Sequence, residues 1–310
     1  MDVRTIRVAS RKSNLAMTQT KWVIDELEKL NGDYHYEIIP TVTKGDKILD
    51  VALSKVGGKG LFVSEIEQVL VTRQADFAVH SLKDVPAQLA DGLVLAALPT
   101  REDPRDAFIS RTGQGLNNLP QGAVVGTSSL RRLAQLKALR PDLQIKTLRG
   151  NIDTRLRKLQ EEEFDAIILA AAGLHRVGWQ ERITEYLEPE ICLPALGQGI
   201  LGIECREDDD ELRRLLAGLT DKKTELAARA ERRLLFELNG SCQVPIGGLT
   251  HVDADGKLHL QGMVASPDGV SVLRAEAQGY DADELGREVS RKLRDKGATA
   301  ILETAGSSLS

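Results

Sequence analysis

Apolar positions along the first hundred residues alternate between a period of two and a period of about 3.6, the spacings of a strand and of an amphipathic helix. Ile6–Ala9 reads as a short buried strand, and Ser13 opens an amphipathic helix that runs to Leu30. Tyr36–Val42 alternates as a strand does and is rich in β-branched residues. Lys44–Gly60, with Gly45, Gly57, Gly58 and Gly60, reads as a loop suited to a mobile cover over a cleft. Leu61–Arg73 is helical by period, and Asp76–His80 and Leu93–Leu98 are strands. Strands alternating with helices predict a mostly parallel sheet, because parallel neighbours need long crossovers.

The polar stretch Arg101–Pro104 marks a crossing between domains, and a second alternating unit runs from Asp106 to Leu193. Its strands are Val124–Gly126, Leu143–Leu148 and Asp165–Ala170, and its helices are Ser129–Leu139 and Ile152–Gln160. Val8–Ala16 and Val125–Leu130 both pass from a strand through hydroxyl residues into a helix, each with a Ser placed to cap it. Two unrelated capped helices would read the same way. Beyond a strand-like run at Gly199–Cys205 the pattern changes to a helix (Thr224–Leu238), a Gly-rich loop, a hairpin of Lys257–Ala265 and Val270–Ala277 about Pro267-Asp268-Gly269, and a last helix (Ala282–Lys296). This third part is a small α+β domain.

Length and charge narrow the class. A chain of 310 residues holds two or three domains of ordinary size, and its 42% hydrophobic content supports a core in each. The net charge of −5 argues against a nucleic acid or an anionic membrane as partner. Three widely spaced cysteines without a C-x-x-C pair speak against a disulfide framework or a structural zinc site. Met1–Arg11 is charged and lacks the apolar core of a signal peptide, and no apolar run reaches the length of a membrane span. The expectation is a cytoplasmic protein.

Arginine placement carries the first chemical hint. Arg131 and Arg132 fall in the first turn of a helix, where the macrodipole disfavours cations. With Ser128 or Ser129 at the cap, this is what an external carboxylate or phosphate requires. Arg149-Gly150-Asn151 opens the next helix, with Arg155 one turn on, and Arg11 follows the first strand. Any one of these is equally well a solvated surface arginine; several at strand-to-helix turns point to an anionic ligand. His80-Ser81-Leu82-Lys83-Asp84-Val85-Pro86 leaves a buried strand at a sharp turn, where Asp84 serves as a backbone cap or faces a cleft. Gly57-Gly58-Lys59-Gly60 lacks the spacing of a phosphate loop. Cys242, among small and Gly-rich neighbours, is the accessible thiol of the three, whereas Cys192 and Cys205 stand in apolar surroundings.

These segments together resemble the porphobilinogen deaminase (hydroxymethylbilane synthase) family, in its bacterial form, along nearly the whole chain. The runs are Val56–Phe62, Ala78–Pro86, Arg101–Ala107, Gly126–Arg132, Leu148–Asn151, Leu193–Gly199 and Gly240–Gly247, in the family's order. The resemblance implies an α/β fold: two periplasmic-binding-protein-like α/β domains, 1–100 with 199–218 and 101–198, plus a small α+β C-terminal domain, 219–310. It implies a monomeric transferase of tetrapyrrole biosynthesis that condenses four porphobilinogen molecules, primed by a dipyrromethane held through a thioether to Cys242. Asp84 matches the catalytic carboxylate. Lys83, Ser129, Arg131, Arg132, Arg155 and Asp46 match positions that hold the cofactor. Arg11, Ser13, Lys55, Lys59, Phe62, Arg149, Arg176 and Gln198 match positions that take the substrate. The acetate and propionate on every ring account for the arginines, since carboxylates buried unpaired are prohibitive and Arg offers bidentate pairing. Three positions depart from the family's pattern: Ser241 replaces a Gly, Leu82 a Met and Asn14 a Pro. A different class, a two-lobed protein that captures an anion without turnover, uses the same arginines and leaves Cys242 and the third domain without a purpose.

Overall fold

The computed structural model describes residues 3–47, 63–161, 164–239 and 244–307. They divide into two compact units. The first holds the described residues of Met1–Leu49, Gly58–Glu102 and Ile200–Glu225, the second those of Asp103–Gly199 and Leu226–Ser310.

In the first unit the strands are β1 (Thr5–Arg11), β2 (His35–Thr41), β3 (Phe77–Ser81), β4 (Leu93–Ala97) and β10 (Leu201–Arg206), in the order β2-β1-β3-β10-β4. Helices α1 (Asn14–Leu30) and α7 (Asp210–Ala217) cover one face of this sheet, burying Val23, Leu27, Leu212 and Leu216 against Ile6, Val8, Phe77 and Ile203. Helix α3 (Ser64–Val71) covers the other face with Ile66 and Leu70 against Ala9 and Ala78. Apolar residues on both faces of β3 explain its near-continuous hydrophobic run. A single turn of helix, α2 (Lys44–Lys47), stands where the sequence predicts the start of a loop.

The second unit contains a sheet of like plan. Its strands are β5 (Asp106–Ser110), β6 (Val124–Gly126), β7 (Gln144–Lys146), β8 (Ala166–Ala170) and β9 (Glu185–Leu187), in the order β7-β6-β8-β5-β9. In both sheets the second strand from the end (β1 or β6) is parallel to its two neighbours, and the fourth (β10 or β5) is antiparallel to both of its own. Helices α4 (Leu130–Leu139), α5 (Ile152–Gln160) and α6 (Ala171–Arg176) follow β6, β7 and β8. The expected mostly parallel sheet is therefore half antiparallel. The reason is connectivity: β5 and β10 each enter their sheet from the other one and neither is consecutive in the chain with a sheet neighbour, so no crossover helix imposes a parallel pairing on them.

The C-terminal part packs α8 (Lys222–Glu237), α9 (Ala282–Asp295) and α10 (Ala298–Ser307) against an antiparallel sheet of β11 (Ile246–Val252), β12 (Leu258–Ala265) and β13 (Val272–Gly279). Sequence reading predicts β12 and β13 as the hairpin and reads β11 as loop. Two glycines disguise it.

Candidate functional site

Because β1, β2 and β3 are parallel, all three end at one edge of the first sheet, the carboxyl edge at which ligands of open α/β sheets collect. Arg11 is the last residue of β1, and the Ser13 hydroxyl caps α1 by accepting from the Ala16 N–H at 3.3 Å. After Ser81 the chain turns through one short helical turn, Leu82–Asp84. The Val85 N–H donates to Leu82 O at 3.1 Å, and the Leu82 N–H to Ile200 O at 2.9 Å. Lys83 and Asp84 thus share an edge with Arg11 and Ser13, half-buried, above a fully buried Leu82.

Parallel β6, β7 and β8 build the corresponding edge in the second sheet. The Ser129 hydroxyl caps α4 through the Arg132 N–H at 3.4 Å, and the Asn151 side chain caps α5 through the Thr154 N–H at 2.9 Å. Ser128 Oγ donates to Leu148 O at 2.5 Å and ties the two loops together. Between them stands Gly150 at φ 117°, where a Cβ would lie 2.7 Å from Thr154 Cγ2; only glycine fits. Arg155 Nε donates to Gly150 O at 2.8 Å, and Arg176, at the end of α6, to Gly199 O at 2.7 Å. Arg149 is buried, and burial lowers its pKa from the usual arginine value. Two helix N-termini, the hydroxyls of Ser128 and Ser129 and the guanidiniums of Arg149 and Arg155 collect at this edge.

Arg131 and Arg132 point inward. Arg131 Nη1 donates to Asp106 Oδ2 at 2.7 Å and Arg132 Nη2 to Asp106 Oδ1 at 2.7 Å, while Gln198 Nε2 reaches the same Oδ1 at 2.9 Å. Further bonds run to Leu193 O and Ile168 O, at 2.7 and 2.8 Å. Burial opposes ionisation of Asp106, but the two guanidiniums outweigh it and hold the carboxyl far below the usual range. Two cations share one anion, so a surplus positive charge remains at the start of α4. Arg131 Nε is buried without an acceptor among the described residues. Strand β11 abuts this network: a Cβ on Gly247 would lie 3.0 Å from the carbonyl oxygens of Leu193 and Pro194 and 3.2 Å from Arg131 Cδ.

The sequence reading misses two acidic residues. Asp106 lies within the run Arg101–Ala107 but draws no notice by itself. Glu204, fully buried, meets His80 Nε2 at 2.8 Å behind the Leu82–Asp84 turn. A lone carboxylate in the apolar strand Leu201–Arg206 is the signal that marks it. Cys192 and Cys205 are buried as expected, and burial pushes both thiols up to about 12. The Asp46 side chain, Lys55, Lys59, Phe62 and Cys242 lie outside the described residues, as does the Gly57–Gly60 run.

The donor set fits a dipyrromethane. Its carboxylates match the surplus charge, the capped helix starts and the guanidiniums at the edge of the second sheet. Comparison with known proteins agrees. The family described as "Porphobilinogen deaminase, dipyromethane cofactor binding domain" matches residues 6–214, and "Porphobilinogen deaminase, C-terminal domain" matches residues 225–295. The chain is 56% identical over 308 residues to the porphobilinogen deaminase of Shouchella clausii, covering 99% of each chain. It is 55% identical over 302 residues to that of Bacillus subtilis, covering 97% of this chain and 96% of the relative. Among solved structures it is similar to a Salmonella typhimurium periplasmic binding protein of high arginine specificity (14% identity, 72% of this chain and 94% of that one, TM-score 0.43). With both family domains matched in order and relatives aligned end to end, the chain belongs to the porphobilinogen deaminase family.

Proposed function

We propose that this chain is a transferase that joins four porphobilinogen molecules head to tail, with release of one ammonia per unit, and that water then cleaves the tetrapyrrole from the primer as hydroxymethylbilane for tetrapyrrole biosynthesis. It works as a cytoplasmic monomer, with a first domain of residues 1–100 and 199–218, a second of 101–198 and a third of 219–310. Cys242 holds the dipyrromethane by a thioether. Elimination supports that choice, because a thiol pushed up to about 12 by burial, as in Cys192 and Cys205, is a poor nucleophile.

Ser129, Arg131, Arg132, Arg155, Lys83 and Asp46 hold the cofactor, which when bound supplies the pyrrole carbon to which the first substrate unit is joined. Arg11, Ser13, Lys55, Lys59, Phe62, Arg149, Arg176 and Gln198 bind the acetate and propionate groups of incoming units or support that binding. Loss of ammonia from porphobilinogen leaves a cationic azafulvene. The Asp84 carboxylate, at the turn after β3, stabilises that charge and assists proton transfer from the pyrrole. The charge exists only along the reaction path, so its stabilisation raises turnover rather than ground-state binding.

The observation that carries this reading is the edge of the second sheet, where two capped helix N-termini meet Ser129, Arg149 and Arg155. Intact mass under denaturing conditions tests it, with Cys242→Ser as control. The expected protein carries an excess of two porphobilinogen units less two ammonias, or gains it on incubation with porphobilinogen, and the control never does. A chain that takes up no adduct from porphobilinogen is instead an anion-binding protein.

A further inference from the structure

The His80–Glu204 pair breaks the pattern of its surroundings. His80 lies on β3 and Glu204 on β10, with side chains 4% and 0% exposed. In the antiparallel register Gly202 faces His80 and Glu204 faces Ala78, which puts Ala78, His80, Gly202 and Glu204 on the face covered by α3. Glu67 of α3 is close enough for burial and the Glu204 carboxyl to raise its pKa, while His80 lowers it and the Ala90 N–H bonds it at 3.1 Å. Glu204 Oε2 has the imidazole; Glu204 Oε1 is buried with no hydrogen-bond partner among the described residues.

Such an arrangement costs stability. An ionisable pair in an apolar layer with one oxygen unsatisfied is worth less to the fold than two well-packed apolar side chains. Local rules of this kind are broken mostly at functional sites. The pair's position suggests which function. His80 is two residues before Leu82, whose N–H is held by Ile200 O at 2.9 Å, and whose side chain packs on Gly202, 3.2 Å from where a Cβ would sit. A side-chain bond and a backbone bond thus join the end of β3 to the start of β10 on the two sides of the point where the chain turns into Leu82–Asp84.

We propose that His80 and Glu204 are positioning residues for Asp84: their buried bond fixes the end of β3, and so sets where the following turn presents the Asp84 carboxylate. The proposal rests on the reading of Asp84 as the catalytic carboxylate. A carboxylate displaced by about 1 Å loses much of its effect on a transition state while substrate binding elsewhere stays intact.

The test replaces the pair with apolar residues of similar volume, His80→Leu with Glu204→Leu, in the primed holoenzyme, beside Glu204→Gln alone. The expected double variant melts at or above the wild-type temperature, keeps KM for porphobilinogen within about twofold, and loses kcat about tenfold or more. Glu204→Gln, which keeps an acceptor for the imidazole at the same place, holds kcat within about threefold. In an Asp84→Glu background, where the carboxylate is already displaced, the pair replacement costs less than about twofold further. A double variant that melts like the wild type with wild-type kcat overturns the proposal, as does a full tenfold loss on top of Asp84→Glu. An Asp84→Glu enzyme with wild-type kcat overturns the catalytic reading of Asp84 itself, and the proposal with it, whatever the pair replacement does alone.

Discussion

At the scale of single residues, the most heavily committed group is Asp106. It is fully buried, takes both guanidiniums of Arg131 and Arg132, and holds Gln198 as well. Its folded-state pKa is depressed, so its contribution is present above the unfolded carboxylate value of about 3.9 and is lost as pH falls through and below that value. Asp76, held by Arg7 and Arg206 against its own burial, adds to the same acid limb. The wild-type melting temperature should therefore fall between about pH 5 and pH 3. Asp106→Asn leaves two buried cations short of their counter-ion, with an expected loss of about 3–5 kcal/mol at pH 7. Its melting temperature should also fall less over that interval; calorimetry at four pH values checks both, and equal slopes would remove Asp106 as a source. Nothing in the residue types foretells this pairing. The helical position of Arg131 and Arg132 is visible in sequence, whereas the turn of their side chains toward Asp106 is not.

Among the elements, helices with capping serines are legible: Ser13 and Ser129 both cap as their positions predict. The likeness between the two strand-to-helix passages is topological as well, since β1 and β6 hold the same place in their sheets. Strands β5, β9 and β11 escape notice, and in β11 the cause is the pair Gly247-Gly248. In β11 the glycines serve close approach, with Gly247 against two carbonyl oxygens and Gly248 at 2.9 Å, through a notional Cβ, from Gln261 O. Backbone atoms cannot step aside as a side chain does, so Gly247→Ala should destabilise the protein by about 1–3 kcal/mol. It should also disturb Arg131, which the same Cβ would press. Urea unfolding measures the first. The second shows as a slower gain of the two-unit adduct in intact-mass time courses, and a wild-type rate would separate this strand from the cofactor's site.

Across the whole molecule, the chain builds part of one sheet, leaves to build another and returns with β10 to fill the gap between β3 and β4. A chain ended at Gln198 contains β1 to β9 yet lacks the strand that pairs with both β3 and β4. It should be insoluble or unfold without cooperativity, read by sedimentation and by near-ultraviolet circular dichroism; a soluble, cooperatively melting fragment would show that the first sheet closes without its last strand. Sequence alone determined the alternation of elements, the capped helix starts, the burial of Cys192 and Cys205, and, through runs preserved in order, the family. These are local matters of periodicity, turn chemistry and residue identity. Tertiary structure alone decided that the sheets are half antiparallel, that Asp106 claims Arg131 and Arg132, and that His80 finds Glu204 far along the chain. Those outcomes depend on which strands become neighbours, and neighbourhood is set by crossings and packing that no local pattern encodes.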